Sequence, residues 1–370
     1  MMSENRAIII DNGSDKLKAG IAGDEDPKCC FPAVIGRPKY DRIKTDLDSK
    51  DVYIGNQTLA LRDVLALRHP IKNGIVNNWD DMERIWHHAI FDELKIEPED
   101  HPVLLTEVPM NPKANREKMT QIVFETFNFP SFYVASQAVL SLYATGRVTG
   151  IVLDSGFGAS YSIPIYEGYY FSHAALRIYI AGSTCTEYLG YILSELGVRF
   201  TSSAEMEIVR DIKEKLCYVA YDFEEEMKKN IGKPFELPDR NVLFIQNQRI
   251  RCPELLFKPS LIGQEVSGIH ELTFKSIMKC DIDVRNELYK NVIISGGTAM
   301  FSGIKERLSK ELRSFAPTSM KIKVSDTQEK KFSAWSGGSI LSKTQFLDQI
   351  WITRSEYDEN GPMIVHRKCF

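Results

Sequence analysis

Two segments of the chain carry the same pattern of apolar and polar positions. Each is an apolar, mostly β-branched run that ends in Asp-x-Gly, at Ala7–Gly13 and again at Gly150–Gly156. A continuous apolar run of this kind predicts a buried strand, which delivers a carboxylate and a tight glycine turn to its end. One Asp-x-Gly is typical of an ordinary strand and turn, but two at matching places favour a chain built from two structurally related halves.

An aspartate and a glycine turn at the end of a strand suit the binding of a phosphate group and a metal ion. Glycine lets backbone N–H groups approach an anion, and aspartate offers a hard oxygen ligand for Mg²⁺. Two such hairpins facing each other would clamp a nucleoside triphosphate. A third strand with a double-glycine turn, Asn291–Thr298, could pass under a nucleoside, or it could be only a structural turn.

Strand patterns alternate with helical patterns along the rest of the chain, which predicts an α/β protein. The clearest helix begins at the capping-box pattern Ser202–Glu205. Apolar side chains then recur at helical spacing and predict one buried face, formed by Ile208, Ile212, Leu216 and Val219. Lys213 and Glu214 lie off this stripe, where they could be solvated or free for a ligand.

Composition limits the class of protein. The 370 residues are 43% hydrophobic and 26% charged, as in a soluble globular protein of about two domains. The net charge of −4 gives no polybasic surface, so we expect no nucleic-acid partner. We expect no membrane insertion and a cytoplasmic location, because the sequence shows neither a membrane-length apolar run nor a signal-peptide core. Seven scattered cysteines without a Cys-x-x-Cys pair favour free thiols.

Four further stretches carry a resemblance to a known family. They are Asn111–Thr120, Gln137–Tyr143, Glu207–Ala220 and Val365–Phe370, and they are similar to actin almost residue for residue. The chain resembles the actin family over essentially its whole length. The resemblance implies the actin-like ATPase fold of the α/β class, with two related halves, a small outer subdomain on each, and a nucleotide in the central cleft.

The resemblance also implies how the chain is divided. Residues 1–144 and 333–370 would form the first half, with 33–69 as its outer subdomain. Residues 145–332 would form the second half, with 181–264 as its outer subdomain.

The nucleotide implied by the resemblance is ATP or ADP, bound with Mg²⁺ or, as an alternative, with Ca²⁺. Asp11 and Asp154 would hold the metal mostly through bound waters, which suits an ion that dehydrates reluctantly. Gln137, Asp154 and Tyr161 are the expected catalytic residues, and Gln137 would help to hold the attacking water. The residues expected to bind the nucleotide are Gly13, Ser14, Lys18, Ser155, Gly156, Gly158, Gly182, Lys213, Glu214, Gly296, Gly297, Thr298, Met300, Phe301 and Lys331.

Three residues inside this expected site differ from the family pattern. Phe157 stands where actins have a third aspartate, and an aromatic ring cannot hold a metal-bound water. Tyr161 replaces a histidine, and a phenol with a pKa near 10 is a poor base at neutral pH. Asp15 replaces a glycine of the first phosphate turn, where its charge would oppose a phosphate or recruit the cation. Together they predict slow ATP hydrolysis.

Of the surfaces expected to serve in assembly, one departs from the family pattern and another resembles it. The loop Pro38–Lys50 contains neither glycine nor methionine, whereas the family loop is glycine-rich and inserts methionines into the next subunit. Pro259–Ile269 resembles the hydrophobic plug that bridges filament strands, and an exposed apolar loop favours a real partner. The groove near Tyr143, Ile340 and Leu341 is expected to bind actin-binding proteins.

Two functions therefore stay open. One is an actin-like cytoskeletal protein that binds ATP or ADP and assembles with itself or with conventional actin. The other is a non-polymerising, actin-related subunit of a heteromeric complex.

Overall fold

A computed structural model describes residues 6–39, 50–229, 231–326 and 331–369. The chain forms two compact units, Met1–Val148 with Phe332–Phe370, and Thr149–Lys331. The outer subdomain expected within each half stays a prediction. Within the loop Pro38–Lys50, residues 40–49 lie outside the described residues.

The strands, numbered in chain order, are short and grouped in five sheets among the described residues. They are β1 Ile8–Asn12, β2 Lys16–Ile21, β3 Cys29–Pro32, β4 Ile35–Pro38, β5 Tyr53–Ile54, β6 Leu65–Arg68, β7 Ile71–Lys72, β8 Ile75–Val76, β9 Val103–Glu107, β10 Ser131–Ser136, β11 Gly150–Ser155, β12 Ser160–Tyr166, β13 Tyr169–Tyr170, β14 Leu176–Ile178, β15 Lys233–Glu236, β16 Val242–Ile245, β17 Val292–Ser295, β18 Val324–Asp326 and β19 Ile352–Thr353.

The α-helices are numbered in the same way. They are α1 Asn56–Ala60, α2 Trp79–His87, α3 Lys113–Glu125, α4 Gln137–Tyr143, α5 Gly182–Leu193, α6 Ser203–Leu216, α7 Phe223–Lys229, α8 Gln248–Glu254, α9 Ile269–Met278, α10 Ile282–Lys290, α11 Ile304–Phe315, α12 Ser333–Leu341, α13 Gln345–Ile350, α14 Arg354–Asn360 and α15 Val365–Lys368. A π-helical segment, His88–Leu94, continues α2, and 3₁₀ turns occur at Pro98–Asp100, Ser194–Leu196, Pro259–Ile262, Thr298–Met300 and Pro362–Ile364.

The main sheet of the first unit has the strand order β19-β10-β9-β1-β2-β3. Strand β1 pairs antiparallel with β2 and parallel with β9, and β9 pairs parallel with β10. All five residues of β1 are buried, which explains why the strand begins with three consecutive isoleucines rather than with alternating apolar and polar residues.

The main sheet of the second unit repeats this arrangement. Its order is β13-β12-β11-β17-β18, with β14 paired to β12. Strand β11 pairs antiparallel with β12 and parallel with β17, and β17 pairs parallel with β18. The hairpin β11–β12 is therefore the counterpart of β1–β2, and β17 is the counterpart of β9. The two matched strand–turn motifs of the sequence are confirmed as two equivalent hairpins.

Each unit has its own apolar core between its sheet and its helices. In the first core, Trp335 of α12 is fully buried and its indole N–H donates to the carbonyl oxygen of Ile9 at 3.1 Å. Gly337 of the same helix meets the backbone of Leu140 in α4, and a Cβ there would overlap the Leu140 carbonyl oxygen. The glycine thus lets α12 lie close to α4.

Helix α6 begins as its sequence predicts. The Ser202 hydroxyl accepts the Glu205 N–H at 3.2 Å, and the Glu205 carboxylate accepts the Ser202 N–H at 2.8 Å. This reciprocal capping box is confirmed. Across the described ranges, no helix combines the length and the apolarity that crossing a bilayer requires.

Candidate functional site

The first hairpin holds Asp11 in a network of four side chains. The parallel register of β1 with β9 places Thr106 beside Asp11, and its hydroxyl donates to Asp11 Oδ1 at 2.7 Å. The antiparallel register pairs Asp11 with Lys18, whose ammonium lies 2.7 Å from Oδ2. Gln137 Nε2 donates to Oδ1 at 2.9 Å. Asp11 is 2% exposed, so this network compensates the burial of its charge.

The turn of the first hairpin is fixed by bonds to its neighbours. The Asn12 side chain accepts the Trp86 indole N–H at 2.9 Å and donates to the Thr106 carbonyl oxygen at 3.0 Å. The Ser14 hydroxyl accepts the Gly74 N–H at 2.8 Å. Asp15 is half-buried, and its carbonyl oxygen accepts the Ala33 N–H at 2.8 Å. The expected phosphate-binding turn is therefore a well-supported element of the first unit.

The second hairpin repeats the hydroxyl–carboxylate contact. Asp154 lies at the end of β11, and the parallel register with β17 places Ser295 beside it. The Ser295 hydroxyl donates to Asp154 Oδ1 at 2.7 Å. Ser295 thus does for Asp154 what Thr106 does for Asp11, at the same distance. A hydroxyl from the neighbouring parallel strand orients the hairpin aspartate in both units.

The two hairpins differ at the position opposite the aspartate. The register pairs Asp154 with Tyr161, whereas it pairs Asp11 with a lysine. Burial raises the pKa of Tyr161 to about 12, and a hydrogen bond with Arg177 on β14 opposes this rise. The phenol therefore stays neutral at physiological pH and is no base there. The second hairpin has a neutral group where the first has an ammonium.

The turn of the second hairpin is bonded to the start of α5. The Gly156 carbonyl oxygen accepts the Gly182 N–H at 3.1 Å and the Thr298 hydroxyl at 2.6 Å. The Phe157 carbonyl oxygen accepts the Ser183 N–H at 2.8 Å. Phe157 itself is half-buried. Its backbone thus connects the turn of the hairpin to the start of α5.

Lys213 is buried rather than solvated. The ammonium donates to the Gly182 carbonyl oxygen at 3.0 Å and to the Thr186 hydroxyl at 2.9 Å. The solvated alternative for Lys213 is therefore wrong, because the start of α5 accepts two of its protons, and its contact with a nucleotide stays a prediction. Its neighbour Glu214 is exposed, with Arg210 at 3.8 Å.

The double-glycine turn after β17 combines one constrained and one open position. Gly296 has φ +91°, and a Cβ there would overlap the Ser155 carbonyl oxygen. A Cβ at Gly297 would meet nothing within 4 Å. Gly296 is thus required by the fold, whereas the backbone at Gly297 is accessible from outside. The two interpretations of this motif therefore apply to different residues: Gly296 forms a structural turn, and Gly297 leaves its backbone open to an approaching group.

The remaining predicted nucleotide contacts differ in exposure. Met300 is 51% exposed and Lys331 is also at the surface, whereas Phe301 is buried in the core of the second unit. Phe301 therefore supports the turn from within the unit.

The residues present fit a nucleotide with a hard divalent cation on two observations. Both hairpins end in an oriented aspartate, and open space lies above the backbone at Gly297. No group of three or more His, Cys, Asp or Glu in the described ranges is arranged as a metal site. Mg²⁺ keeps most of its waters in sites that supply one or two carboxylates.

The decisive finding is the match of the chain to a family model. The model for actin matches residues 2–370. The chain belongs to the actin family. Its mixed sheets and helices are consistent with the actin-like fold. Sequence reasoning missed Thr106 and Ser295, because a single hydroxyl at the end of a strand carries no pattern of its own.

The structure describes residues of two surfaces that the family resemblance links to assembly, the expected groove and the plug-like segment. Near the expected groove, Ile340 is 48% exposed and Tyr143 half-buried, but Leu341 is buried in the core. Leu341 is thus corrected from a groove residue to a core residue. In the plug-like segment, Leu261 and Ile262 pack partly against the core of their own unit, and Val266 is exposed.

Proposed function

We propose that this actin-family protein binds ATP or ADP with Mg²⁺ through residues of both hairpins, and hydrolyses ATP slowly. The observation that carries the proposal is the pair of equivalent aspartates, each accepting a strand hydroxyl at 2.7 Å. An oriented carboxylate at the end of each hairpin suits a cation that retains its waters. Ca²⁺ is the alternative cation.

Several residues would bind and orient the nucleotide. A bound Mg²⁺ neutralises phosphate charge and polarises the phosphate oxygens. Lys18 supplies the positive charge of the first hairpin, and Ser14 supplies a hydroxyl. Gln137 uses Nε2 for bonds to Asp11, to the Asn12 carbonyl oxygen and to Thr106. Its carbonyl oxygen is then the group available to accept a bond from a water.

Slow hydrolysis follows from the second hairpin. Phe157 supplies no acceptor for a metal-bound water, and losing a ligand of this kind typically costs about 10–100-fold in metal affinity or activity. Tyr161 supplies a neutral phenol held by Arg177. Asp15, in the turn of the first hairpin, would add a further penalty if its carboxylate faced a phosphate, because like charges about 6 Å apart cost on the order of 3 kcal/mol at an effective dielectric of 20.

Filament assembly is the second part of the proposal. We propose that the protein joins itself or conventional actin in the cytoplasmic cytoskeleton. The exposed Val266 of the plug-like segment supports this, since an exposed apolar side chain on such a loop suits a partner surface. The alternative is a non-polymerising subunit of a heteromeric complex, which Phe157 favours because such a role needs no hydrolysis.

Single-turnover hydrolysis tests the catalytic part. The protein loaded with ATP and Mg²⁺ is expected to hydrolyse it much more slowly than conventional actin filaments do. Phe157→Asp together with Tyr161→His is expected to raise the rate about 10–100-fold. Tyr169→His, at an exposed tyrosine of the same unit, is the matched control and should change nothing. A parent rate equal to that of conventional actin would refute slow hydrolysis.

Pelleting in Mg²⁺, K⁺ and ATP tests assembly. Sedimentation alone or with conventional actin supports the filament proposal. A protein that stays in the supernatant at every concentration, with and without conventional actin, supports the heteromeric alternative instead.

A further inference from the structure

Three cysteines of the second unit meet where three helices pack together. Cys185 lies in the first turn of α5, Cys252 lies in α8, and Cys217 follows the last residue of α6. Cys185 and Cys252 are fully buried and Cys217 is 7% exposed. We name these three residues the thiol cluster. Nothing in the proposed nucleotide chemistry uses them.

Cys252 is the common member of the cluster. Its thiol donates to the Cys185 carbonyl oxygen at 3.4 Å, and both Cys185 and Cys217 lie close enough to it to influence its pKa. A disulfide requires two sulfur atoms at roughly 2.05 Å, which neighbouring side chains reach by rotation and approach. The sulfur of Cys252 lies beside the backbone of Cys185, so covalent pairing within the cluster is a reaction between neighbours.

The closed unit keeps these thiols protonated. Burial raises the pKa of Cys252, and the interaction with Cys252 together with burial raises the pKa of Cys185 well above the usual range. Since the thiolate is the nucleophile, oxidation of the closed unit is slow. Reaction therefore requires a transient separation of α5 from α8, of the kind that local opening provides.

The first turn of α5 links the thiol cluster to the second hairpin. Gly182 donates its N–H to the Gly156 carbonyl oxygen at 3.1 Å, and its own carbonyl oxygen accepts the Lys213 ammonium at 3.0 Å. Cys185 lies three residues further along the same turn. Any movement that exposes Cys185 thus disturbs the backbone contact between α5 and the hairpin.

We propose that Cys252 forms a reversible disulfide with Cys185 or Cys217 when α5 opens in the presence of a low-molecular-weight disulfide such as oxidised glutathione. One protein thiolate attacks the oxidised glutathione, forms a mixed disulfide and releases one glutathione thiolate. The second protein thiol, after losing its proton, attacks the mixed disulfide and releases the second glutathione. The protein loses two electrons and two protons, and one oxidised glutathione becomes two reduced ones.

Peptide mapping of the full chain tests this directly. Freshly reduced protein carrying Cys30→Ser, which removes the exposed cysteine of the described residues, is incubated with oxidised glutathione under native conditions. The sample is quenched with acid, alkylated and digested. A cross-linked peptide pair that contains Cys252 is the expected result. Fully alkylated peptides, or cross-links that never include Cys252, would overturn the proposal.

Two variants make the test specific. Cys252→Ala is expected to abolish the cross-link within the cluster. Cys280→Ala is the matched control, because Cys280 is also buried in the second unit and donates to a carbonyl oxygen at 3.4 Å, that of Ser276. It should leave the cross-link unchanged. If Cys252→Ala does not fold, Cys185→Ala with Cys217→Ala removes both partners, and persistence of a Cys252 cross-link in that protein would contradict the proposal.

A second arm rests on the proposed nucleotide binding. If ATP with Mg²⁺ holds the second hairpin against α5, cross-linking at ten times the Kd is expected to be about tenfold slower. Equilibrium dialysis measures the Kd independently. A protein that binds no ATP refutes the proposed function and leaves the disulfide to be judged by the first arm. Bound ATP with an unchanged rate contradicts the coupling of the cluster to the hairpin.

Discussion

The network around Asp11 makes a quantitative prediction for the substitution Thr106→Val. Valine keeps the shape of threonine but removes the hydroxyl, which donates to Asp11 at 2.7 Å and accepts the Asn12 N–H at 3.0 Å. A hydrogen bond to a charged group contributes about 1.5–3 kcal/mol, and a buried unpaired N–H costs about 1–3 kcal/mol. Asp11 retains its bonds to Lys18 and Gln137, so we expect the free energy of unfolding to fall by about 3 kcal/mol.

The control for this substitution is Thr120→Val in the same unit. Thr120 is also fully buried, but its hydroxyl donates to the Arg116 carbonyl oxygen of its own helix, at 2.8 Å. Removing this hydroxyl leaves every charged group with its hydrogen-bond partners, so we expect the free energy of unfolding to fall by about 1 kcal/mol or less.

Differential scanning fluorimetry compares the two variants under identical conditions. For a unit of 150–250 residues, about 3 kcal/mol lowers Tm by about 6–12 °C. Thr106→Val is therefore expected to melt far below Thr120→Val. Equal melting temperatures for the two variants would refute the view that the strand hydroxyl supports the hairpin aspartate.

Three further predictions concern the second unit. Gly296→Ala is expected to lower the free energy of unfolding by on the order of 3 kcal/mol, because φ is +91° and the added Cβ has no space. Gly297→Ala should leave Tm unchanged and weaken ATP affinity about tenfold. Equal Tm values for the two variants would contradict this. Burial lowers the pKa of His270 below its ordinary 6.5, so the unfolded chain binds a proton first. The stability of the folded protein is therefore greatest above about pH 6.5 and falls as the pH is lowered. The Tm of His270→Phe should depend less on pH between 7.5 and 5.5 than the Tm of the parent protein. An unchanged pH dependence of Tm would argue against this. Arg307→Met leaves the buried Glu254 without its 3.0 Å partner and is expected to cost about 3–5 kcal/mol, measured by urea unfolding; a cost under about 1 kcal/mol would be evidence against it.

The strands and turns of the two hairpins were predictable because their sequence signal is local. An apolar run buried on both faces and followed by glycine has few other structures open to it. The capping box of α6 is equally local, since Ser202 and Glu205 satisfy each other across one turn. These features, together with the family resemblance, gave the fold.

The contacts around the two hairpin aspartates were not predictable, because they join distant parts of the chain. Thr106 and Ser295 reach the hairpin aspartates through parallel strand registers. Lys213 lies off the apolar stripe of α6, which suggested a free side chain, yet α5 supplies two acceptors for it. The thiol cluster likewise exists only through packing of α5, α6 and α8. Tertiary neighbours, rather than local pattern, decided each of these.

The nucleotide carried by the freshly purified protein is the most direct test of the proposed function. The protein is denatured, and the released nucleotide is identified by chromatography, at once and after a day with ATP and Mg²⁺. We predict ATP that stays intact, because under the proposed function the oriented hairpin aspartates would support cation binding while Phe157 and Tyr161 would give the attacking water no help. Complete conversion to ADP, or a protein that carries and takes up no nucleotide, would contradict the proposal.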